Sequence, residues 1–240
     1  MKAVAVIPVR YNSSRFPGKP LQKIENKTLV NLVYEKAINS NLFEQVIVAT
    51  DDQRIFDVAQ NFGAKVVKSS KVFSCGTERV ADVAKKIEAD VFVNIQGDEP
   101  FITAKSLSQL LVAIKGDCDI ATLAHKIEEK RQINDFNAVK VIYDKEFNAI
   151  YFSRFPIPFI RDKNKFTFFK HIGVYAYKKK TLLSYEKLPS SSIEKCEKLE
   201  QLRYLYNGIK IKVVPTEKIG ISIDCKDDFV HLKKMLDTKR

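Results

Sequence analysis

A cluster of cations and hydroxyl groups directly follows the first apolar run of the chain, Val4–Val9. Ligands of open α/β sheets bind beyond the carboxyl ends of parallel strands, and a short apolar run of this kind is typical of a buried parallel strand. Cationic side chains neutralise phosphate charge, while hydroxyls and backbone N–H groups near Gly18 supply hydrogen bonds. We therefore predict a polyphosphate-binding loop, with a solvated basic turn as the alternative. The polar members of this loop are Arg10, Ser13, Ser14, Arg15 and Lys19.

The spacing of this loop excludes two common nucleotide-binding motifs. It lacks the G-x-x-x-x-G-K-[ST] spacing of a Walker loop, and it lacks G-x-G-x-x-G altogether. Neither an ATPase of the P-loop class nor a Rossmann dehydrogenase is indicated.

Two aspartates follow apolar or alternating segments, in positions where they could bind a metal ion. Asp98 comes just after the apolar run Val91–Ile95, and Asp224 follows Ile219–Ile223. Magnesium needs only one or two carboxylates in addition to substrate phosphate oxygens. Each aspartate could instead cap the helix that follows it. At the second position the acids of the next helical turn, Asp227 and Asp228, fit that role better, which leaves Asp224 free.

Strand-like and helix-like segments alternate through the first half of the chain, which predicts a parallel sheet flanked by helices. The predicted strands there are Ala3–Val9, Gln45–Ala49, Lys65–Val67, Val91–Ile95 and Asp119–Ala124, and the predicted helices are Thr28–Ser40, Gln53–Asn61, Glu78–Glu88 and Ala104–Ile114. Thr50-Asp51-Asp52 reads as a turn with a helix N-cap. The second half begins with a predicted hairpin and is more antiparallel in character. Its segments are strands Val139–Tyr143, Ala149–Ser153, His171–Tyr177 and Ile209–Val214, and helices Ile193–Tyr206 and Lys226–Leu236.

Composition narrows the class of protein. The 240 residues include 41 Lys and Arg against 29 Asp and Glu, a formal net charge of +12. The basic residues are scattered, so binding of nucleic acid is the weaker interpretation of that charge. Four separated cysteines show no zinc-ligand spacing. The sequence shows no secretory leader and no apolar stretch long enough to span a bilayer. We therefore expect a cytoplasmic protein with reduced thiols and no membrane insertion.

A series of motifs resembles the 3-deoxy-manno-octulosonate cytidylyltransferases, the CMP-Kdo synthetases. The series opens with I-P-V-R-x-x-S-S-R-x-P-G-K-P-L from Ile7 and spans essentially the whole chain. The later strings, in the family's order, are Cys75–Arg79, Asn94–Pro100, Asn137–Val141, Tyr151–Arg154, His171–Tyr175, Leu199–Arg203 and Ile223-Asp224. Cys75 stands where relatives commonly have serine.

The resemblance implies an α/β fold, a three-layer sandwich around a mainly parallel, doubly wound sheet like that of nucleotide-diphospho-sugar transferases, with a small β-rich insert. It implies one domain, with a nucleotide-binding part at about 1–125, a sugar-binding and β-rich part at about 126–215 and a closing segment at 216–240. It also implies transfer of CMP from CTP to the sugar acid Kdo with release of pyrophosphate, Mg²⁺ as cofactor and a homodimer.

The resemblance assigns roles to individual residues. Arg10, Arg15 and Lys19 would hold the phosphates, with Ser13, Ser14, Gly76 and Arg79 beside the nucleotide. Asp98 and Asp224 would hold magnesium. The sugar would contact Gln96, Arg154, His171, Tyr175, Glu200 and Gln201. Whether Arg79 contacts the pyrimidine edge or a phosphate stays open, and Gly76-Thr77 could simply begin a helix with Thr77 as its cap.

Two alternatives remain. The first is a cytidylyltransferase for another 2-keto acid sugar, either an amino-substituted Kdo (8-amino-Kdo) or, less in keeping with the motifs, a sialic acid. The second, from a different class, is a non-catalytic nucleic-acid-binding protein, which would bind in a strongly salt-dependent way and would leave Asp98 and Asp224 with no task.

Overall fold

The computed structural model describes residues 1–12, 16–161, 166–220, 222–223 and 226–237. Four of the predicted site residues, Ser13, Ser14, Arg15 and Asp224, lie outside the described residues.

Strands of the described chain form one nine-stranded sheet and a small two-stranded ribbon. In chain order the strands are β1 (Ala3–Pro8), β2 (Lys23–Ile24), β3 (Lys27–Thr28), β4 (Gln45–Thr50), β5 (Lys65–Lys68), β6 (Val91–Ile95), β7 (Ile120–Lys126), β8 (Lys140–Tyr143), β9 (Ala149–Ser153), β10 (Phe169–Lys178) and β11 (Lys212–Thr216). The large sheet has the order β11-β7-β10-β6-β1-β4-β5, and β2 pairs with β3 in the ribbon.

Along the order β11 to β5, four of the six strand pairings are parallel. Strand β1 runs parallel to β4 and β6, β4 to β5, and β7 to β11. Strand β10 is the exception, since it lies antiparallel between β6 and β7. The predicted hairpin of β8 and β9 is confirmed, and it joins the sheet through the pairing of β8 with β10.

Helices cover both faces of the sheet. They are α1 (Leu29–Ile38), α2 (Gln53–Asn61), α3 (Gly76–Ala84), α4 (Ala104–Lys115), α5 (Lys130–Asn134), α6 (Lys179–Ser184), α7 (Ser192–Glu197), α8 (Leu202–Tyr206) and α9 (Lys226–Asp237), with short 3₁₀ turns at Lys19–Leu21 and Tyr185–Lys187. No helix of the described residues is both long and apolar enough to cross a bilayer.

Strand β1 shows why three layers form. All six of its residues are buried, and because side chains alternate across a strand they contribute to two different cores. Ala3, Ala5 and Ile7 pack in the core that includes buried residues of α1, α2 and α4. Val4 and Val6 pack in the opposite core with buried residues of α3, α6 and α8. The sheet is therefore sandwiched between helices, as the predicted fold class requires.

The prediction of one continuous helix at Ile193–Tyr206 is wrong. The structure has α7 and α8 instead, with Lys198 between them at φ 51°, the left-handed conformation that ends a helix. The apolar spacing that predicted one helix is satisfied across the break, because Leu199 and Leu202 are both buried. Gln201, which one continuous helix would place off the buried stripe, is only 4% exposed.

Three cap assignments are also settled. The cap of α2 is Asp52, whose carboxylate accepts a hydrogen bond from the Arg54 backbone N–H at 3.0 Å. Helix α3 begins at Gly76 after Cys75, so the alternative of Thr77 as its cap is wrong. The helix after Asp98 is capped by Thr103, so Asp98 is not a helix cap.

Candidate active site

A pocket of about 300 Å³ opens beyond the carboxyl ends of β1 and β6, two neighbouring parallel strands. It also reaches the start of α3 and the turn between α7 and α8. Its lining residues are Pro8, Val9, Arg10, Lys19, Pro20, Phe73, Ser74, Cys75, Gly76, Arg79, Gln96, Gly97, Asp98, Lys198 and Glu200. The predicted residues Arg10, Lys19, Gly76, Arg79, Gln96, Asp98 and Glu200 are thus brought to one place.

Lys19 and Asp98 form the charged pair at the centre of this pocket. The Lys19 Nζ donates to Asp98 Oδ2 at 2.7 Å and to the Ile223 carbonyl at 2.9 Å. The Ile223 backbone N–H in turn donates to the Asp98 carbonyl at 3.0 Å. The chain just before the predicted ligand Asp224 is therefore bonded to Asp98.

Two glycines allow the loops that carry Lys19 and Asp98. Gly18 has φ 69°, a conformation that glycine adopts without strain, and a Cβ there would lie 3.2 Å from the Tyr11 ring. At Gly97 a Cβ would lie 2.4 Å from Val9 Cγ1, so the chains leaving β6 and β1 approach closely only because residue 97 has no side chain.

The donor set suits a magnesium ion held partly by substrate. Among the residues that the structure describes, no group of three or more His, Cys, Asp or Glu side chains could hold a metal ion. Asp98 supplies one hard oxygen donor, beside the cation of Lys19. One or two carboxylates with phosphate oxygens are the usual magnesium environment in nucleotide enzymes, so the residues present fit the ion.

The start of α3 is held by a carboxylate from the turn between α7 and α8. Glu200 Oε2 accepts a hydrogen bond from the Thr77 backbone N–H at 3.0 Å. Gly76 lies next to Gln96, whose Nε2 would be 2.9 Å from a Cβ at residue 76. Burial raises the pKa of the Cys75 thiol, and the charge of Glu200 and a hydrogen bond to it raise that pKa further.

Arg79 is a buried cation that is paired with the partly exposed carboxylate of Asp51. Its Nη1 donates to Asp51 Oδ1 at 3.0 Å, and its guanidinium carbon lies 5.3 Å from the centroid of the Phe73 ring. Asp51 follows β4, the strand beside β1, so three adjacent strands send polar side chains to the same edge of the sheet.

The turn that carries Glu200 is braced from two sides. Arg203 donates to both oxygens of Glu194 and lies over the Tyr185 ring, which ties α8 to α7. Arg154 donates through Nε to the Glu197 carbonyl at 2.7 Å. Its other nitrogens donate to the carbonyls of Phe136 at 3.0 Å and Lys198 at 3.5 Å. Arg154 is therefore not among the residues that line the pocket, and its guanidinium is bonded to backbone carbonyls.

His171 and Tyr175 do not line the pocket either. Both lie on β10, 9% and 2% exposed, with ring centroids 5.3 Å apart. His171 Nε2 is 3.0 Å from Thr122 Oγ1, which is itself 2.9 Å from the Val174 carbonyl. Because the hydroxyl has one proton and gives it to the carbonyl, it accepts from His171 Nε2–H. Burial lowers the pKa of His171 to about 3, so the ring is neutral.

Two buried amides beside the pocket have donors without partners in the described structure. Gln96 Nε2 donates to Asn94 Oδ1 at 3.3 Å, while Asn94 Nδ2 and Gln201 Nε2 have no hydrogen-bond acceptor. Asn94 and Gln201 are 0% and 4% exposed. Since an unpaired buried donor is costly, these amides mark a place where a polar ligand or water can be accepted.

Four contributors to the site were missed by sequence reasoning: Asp51, Phe73, Ser74 and Lys198. Asp51 is an acid directly after an apolar strand, the same kind of position that identified Asp98. It is interpreted as part of a helix-capping turn because Asp52 follows it. Lys198 had no signal, because it enters the pocket only where the expected continuous helix is broken.

Comparisons with known proteins agree with this geometry. A sequence profile of the family described as Cytidylyltransferase matches residues 4–211. A protein of Christiangramia forsetii named 3-deoxy-manno-octulosonate cytidylyltransferase is 41% identical over 240 residues, which cover 98% of this chain and 97% of the relative. A protein of Shewanella piezotolerans named 8-amino-3,8-dideoxy-manno-octulosonate cytidylyltransferase is 43% identical over 234 residues, 95% of this chain and 96% of the relative.

A solved structure gives the same result in three dimensions. It is described as CMP:2-keto-3-deoxy-manno-octonic acid synthetase complexed with CTP, and it superposes with a TM-score of 0.93 at 38% identity, covering 100% of both chains. The chain belongs to the cytidylyltransferase family.

Proposed function

We propose that this protein transfers CMP from CTP to 3-deoxy-D-manno-octulosonate and releases pyrophosphate. The observation that carries the proposal is the Lys19–Asp98 pair at the carboxyl ends of β1 and β6, because it sets a cation that suits phosphate beside a carboxylate that suits a metal ion. The named relatives at 41–43% identity and the CTP-bound structural relative supply the nucleotide and the sugar acid.

The nucleotide occupies the side of the pocket lined by β1 and α3. Arg10 and Lys19 bind the phosphates there, and Arg15, Ser13 and Ser14 of the same loop add donors by resemblance to the family. Charge on the departing pyrophosphate grows during the reaction, so these cations stabilise the transition state more than the bound substrate.

The sugar acid occupies the other side, towards β10 and the turn between α7 and α8. Gln96 and Glu200 line the pocket there, and the unpaired Gln201 amide offers a donor to a sugar oxygen. His171 and Tyr175, buried behind them, and Arg154, bonded to the turn, belong to the same sugar-binding region.

The reaction is an in-line displacement at the α-phosphorus of CTP. The C2 hydroxyl oxygen of the sugar forms a bond to that phosphorus, its proton leaves to solvent, and the bond from the α-phosphorus to the pyrophosphate oxygen breaks. Asp98 and Asp224 would hold Mg²⁺, which supplies charge neutralisation and a lower pKa for the attacking hydroxyl when bound. Lys19 and Arg10 orient the triphosphate so that the leaving group points away from the sugar.

Relatives named for Kdo and for its 8-amino analogue match this chain to a similar extent, 41% and 43%. Pyrophosphate release should therefore be measured with CTP and a panel of Kdo, 8-amino-Kdo and N-acetylneuraminate. Turnover with Kdo at the highest kcat/KM supports the proposal, and a preference for 8-amino-Kdo would move the protein to that alternative. No turnover with any of them, together with salt-dependent binding to nucleic acid, would contradict it.

Matched variants test the site assignment in the same assay. Asp98→Asn and Asp224→Asn should fold and lose magnesium-dependent turnover, because a neutral amide binds a hard cation poorly. Glu200→Gln keeps a carbonyl acceptor for Thr77 and should raise the KM for Kdo well above tenfold with a smaller change in the KM for CTP. Equal effects on both KM values would place the sugar elsewhere.

The family resemblance also leads us to a homodimer. Three phenylalanines of the loop after β9 and its surroundings are strongly exposed for their type: Phe155 at 74%, Phe159 at 87% and Phe136 at 65%. Burial of such side chains against a second copy would remove apolar area from water. Light scattering should give twice the monomer mass, and Phe159→Ser should lower the dimer fraction; a monomeric wild type would contradict this.

A further inference from the structure

Asp51 is joined to the pocket through Arg79. The carboxylate of Asp51 accepts from Arg79 Nη1 at 3.0 Å, and the Arg79 side chain is only 6% exposed. Phe73, which lines the pocket, covers the guanidinium at 5.3 Å. Arg79 therefore has a fixed position, with one edge of its fork bonded to Asp51.

The pairing decides what Arg79 can recognise. The ion pair of Arg79 and Asp51 has no net charge. A phosphate brought to Arg79 would be repelled by the negative charge of Asp51. A neutral group with hydrogen-bond acceptors meets no such repulsion. Within the described chain, Nε and Nη2 of Arg79 make no hydrogen bond, so two planar donors remain for such a group. The pair thus suits a pyrimidine edge rather than a phosphate.

Cytosine and uracil differ at the edge that a fork of donors would meet. Cytosine offers two adjacent acceptors, N3 and the O2 carbonyl, whereas the N3 of uracil bears a hydrogen and is a donor. A guanidinium held in the plane of the base can donate hydrogen bonds to both N3 and O2 of cytosine. With uracil, one of its N–H groups would instead face the N3–H donor. A site built on hydrogen bonds of this kind rejects the wrong partner strongly, because its own buried donors are then left unpaired.

We propose that Asp51 is a positioning residue that sets the preference for cytosine over uracil nucleotides by holding the guanidinium of Arg79. The proposal rests on the proposed function, since it concerns the base of the nucleotide used there. Asp51 does not line the pocket and acts only through Arg79. A single hydrogen bond leaves the guanidinium free to turn about its stem when the carboxylate is removed.

Asp52 provides a matched control. It is the next residue in the chain and is also bonded to an arginine, since Arg54 Nη2 lies 2.6 Å from Asp52 Oδ2. That pair lies outside the pocket, and the Arg54 side chain is 56% exposed. Asp52→Asn therefore removes the same charge from an arginine pair without touching Arg79.

The test compares kcat/KM for CTP and for UTP in the wild type, Asp51→Asn and Asp52→Asn, with nucleotide affinities measured by calorimetry. Asp51→Asn should lower the CTP to UTP ratio at least tenfold, and Asp52→Asn should leave it within about twofold of wild type. Asp51→Glu keeps the charge but moves it by one methylene, so it should fold and still lower the ratio if Asp51→Asn does not fold. An unchanged ratio in a folded Asp51 variant overturns the proposal. A wild type without turnover on CTP would instead overturn the proposed function.

Discussion

The ammonium of Lys19 lies 2.7 Å from the carboxylate of Asp98, across the opening between the loops that follow β1 and β6. The side chains are 13% and 27% exposed, so the pair is partly shielded from water. One partner is the phosphate-binding cation and the other is the metal-binding carboxylate of the proposed reaction. Lys19 and Asp98 are therefore bonded to each other until the substrates bind. Separating this ion pair consumes part of the free energy with which CTP and the metal ion bind.

Replacing Lys19 by Met should lower kcat/KM for CTP by about 10²-fold or more, because a positioned donor to developing negative charge is lost. Lys23→Met is the control, since Lys23 is an exposed lysine on the adjacent ribbon. Steady-state kinetics on both variants gives the comparison. If both variants match the wild type, the loop after β1 is the solvated basic turn and binds no phosphate.

The same Lys19→Met variant should bind a divalent cation more tightly in the absence of nucleotide. Its Asp98 carboxylate no longer has an ammonium to displace, and a partly exposed ion pair contributes about 1 kcal/mol, equivalent to about fivefold in affinity. Binding of Mn²⁺ followed by electron paramagnetic resonance measures this without turnover. Weaker binding in the variant would show that the pair does not compete with the metal, and Asp98→Asn marks the level without the carboxylate.

Much of the pocket could be predicted from the sequence because its parts sit at strand ends. Arg10, Lys19 and Asp98 each follow an apolar run, and parallel strands bring their carboxyl ends to one edge. The same reasoning works for α2, whose predicted bounds Gln53–Asn61 are those observed. Local pattern and tertiary geometry agree at these points.

The turn between α7 and α8 shows why the rest could not be predicted. Leucine spacing through residues 199–205 is the same for one helix and for two short helices that pack on the same core. Long-range contacts decide between one helix and two. Arg154 donates hydrogen bonds to the Glu197 and Lys198 carbonyls, and Glu200 accepts one from the start of α3. None of these contacts can be predicted from the local spacing of apolar residues.

The reactivity of the cysteines should follow their exposure. Cys196 is exposed on α7, whereas burial and the neighbouring Glu200 raise the pKa of the Cys75 thiol, so that little thiolate forms at Cys75. Iodoacetamide at pH 8 should label Cys196 first and leave Cys75 unlabelled in the folded protein, as read by peptide mass spectrometry. In urea both should react at similar rates. Labelling of folded Cys75 as fast as Cys196 would contradict the raised pKa of the Cys75 thiol.

His171 should make the protein less stable as the pH falls. Its pKa is lowered from 6.5 to about 3 by burial, so above pH 6.5 the ring is neutral in both the folded and the unfolded chain. Between pH 6.5 and 3 the unfolded chain binds a proton that the folded chain does not, and the free energy of unfolding falls by about 1.4 kcal/mol per pH unit. The loss is complete below pH 3, where both states are protonated.

His171→Gln should be less stable than wild type at pH 7, where the Thr122 contact is altered, yet should lose less stability on acidification. Between pH 6.5 and 4.5 the wild type should lose about 2 kcal/mol more than the variant, by the same linkage. Urea unfolding at each pH, followed by circular dichroism, gives the two slopes. His125→Gln is the comparison, because burial also lowers the pKa of that histidine but a bond to the Lys126 carbonyl opposes the shift. Parallel pH profiles for wild type and His171→Gln would mean that His171 titrates normally and has access to water.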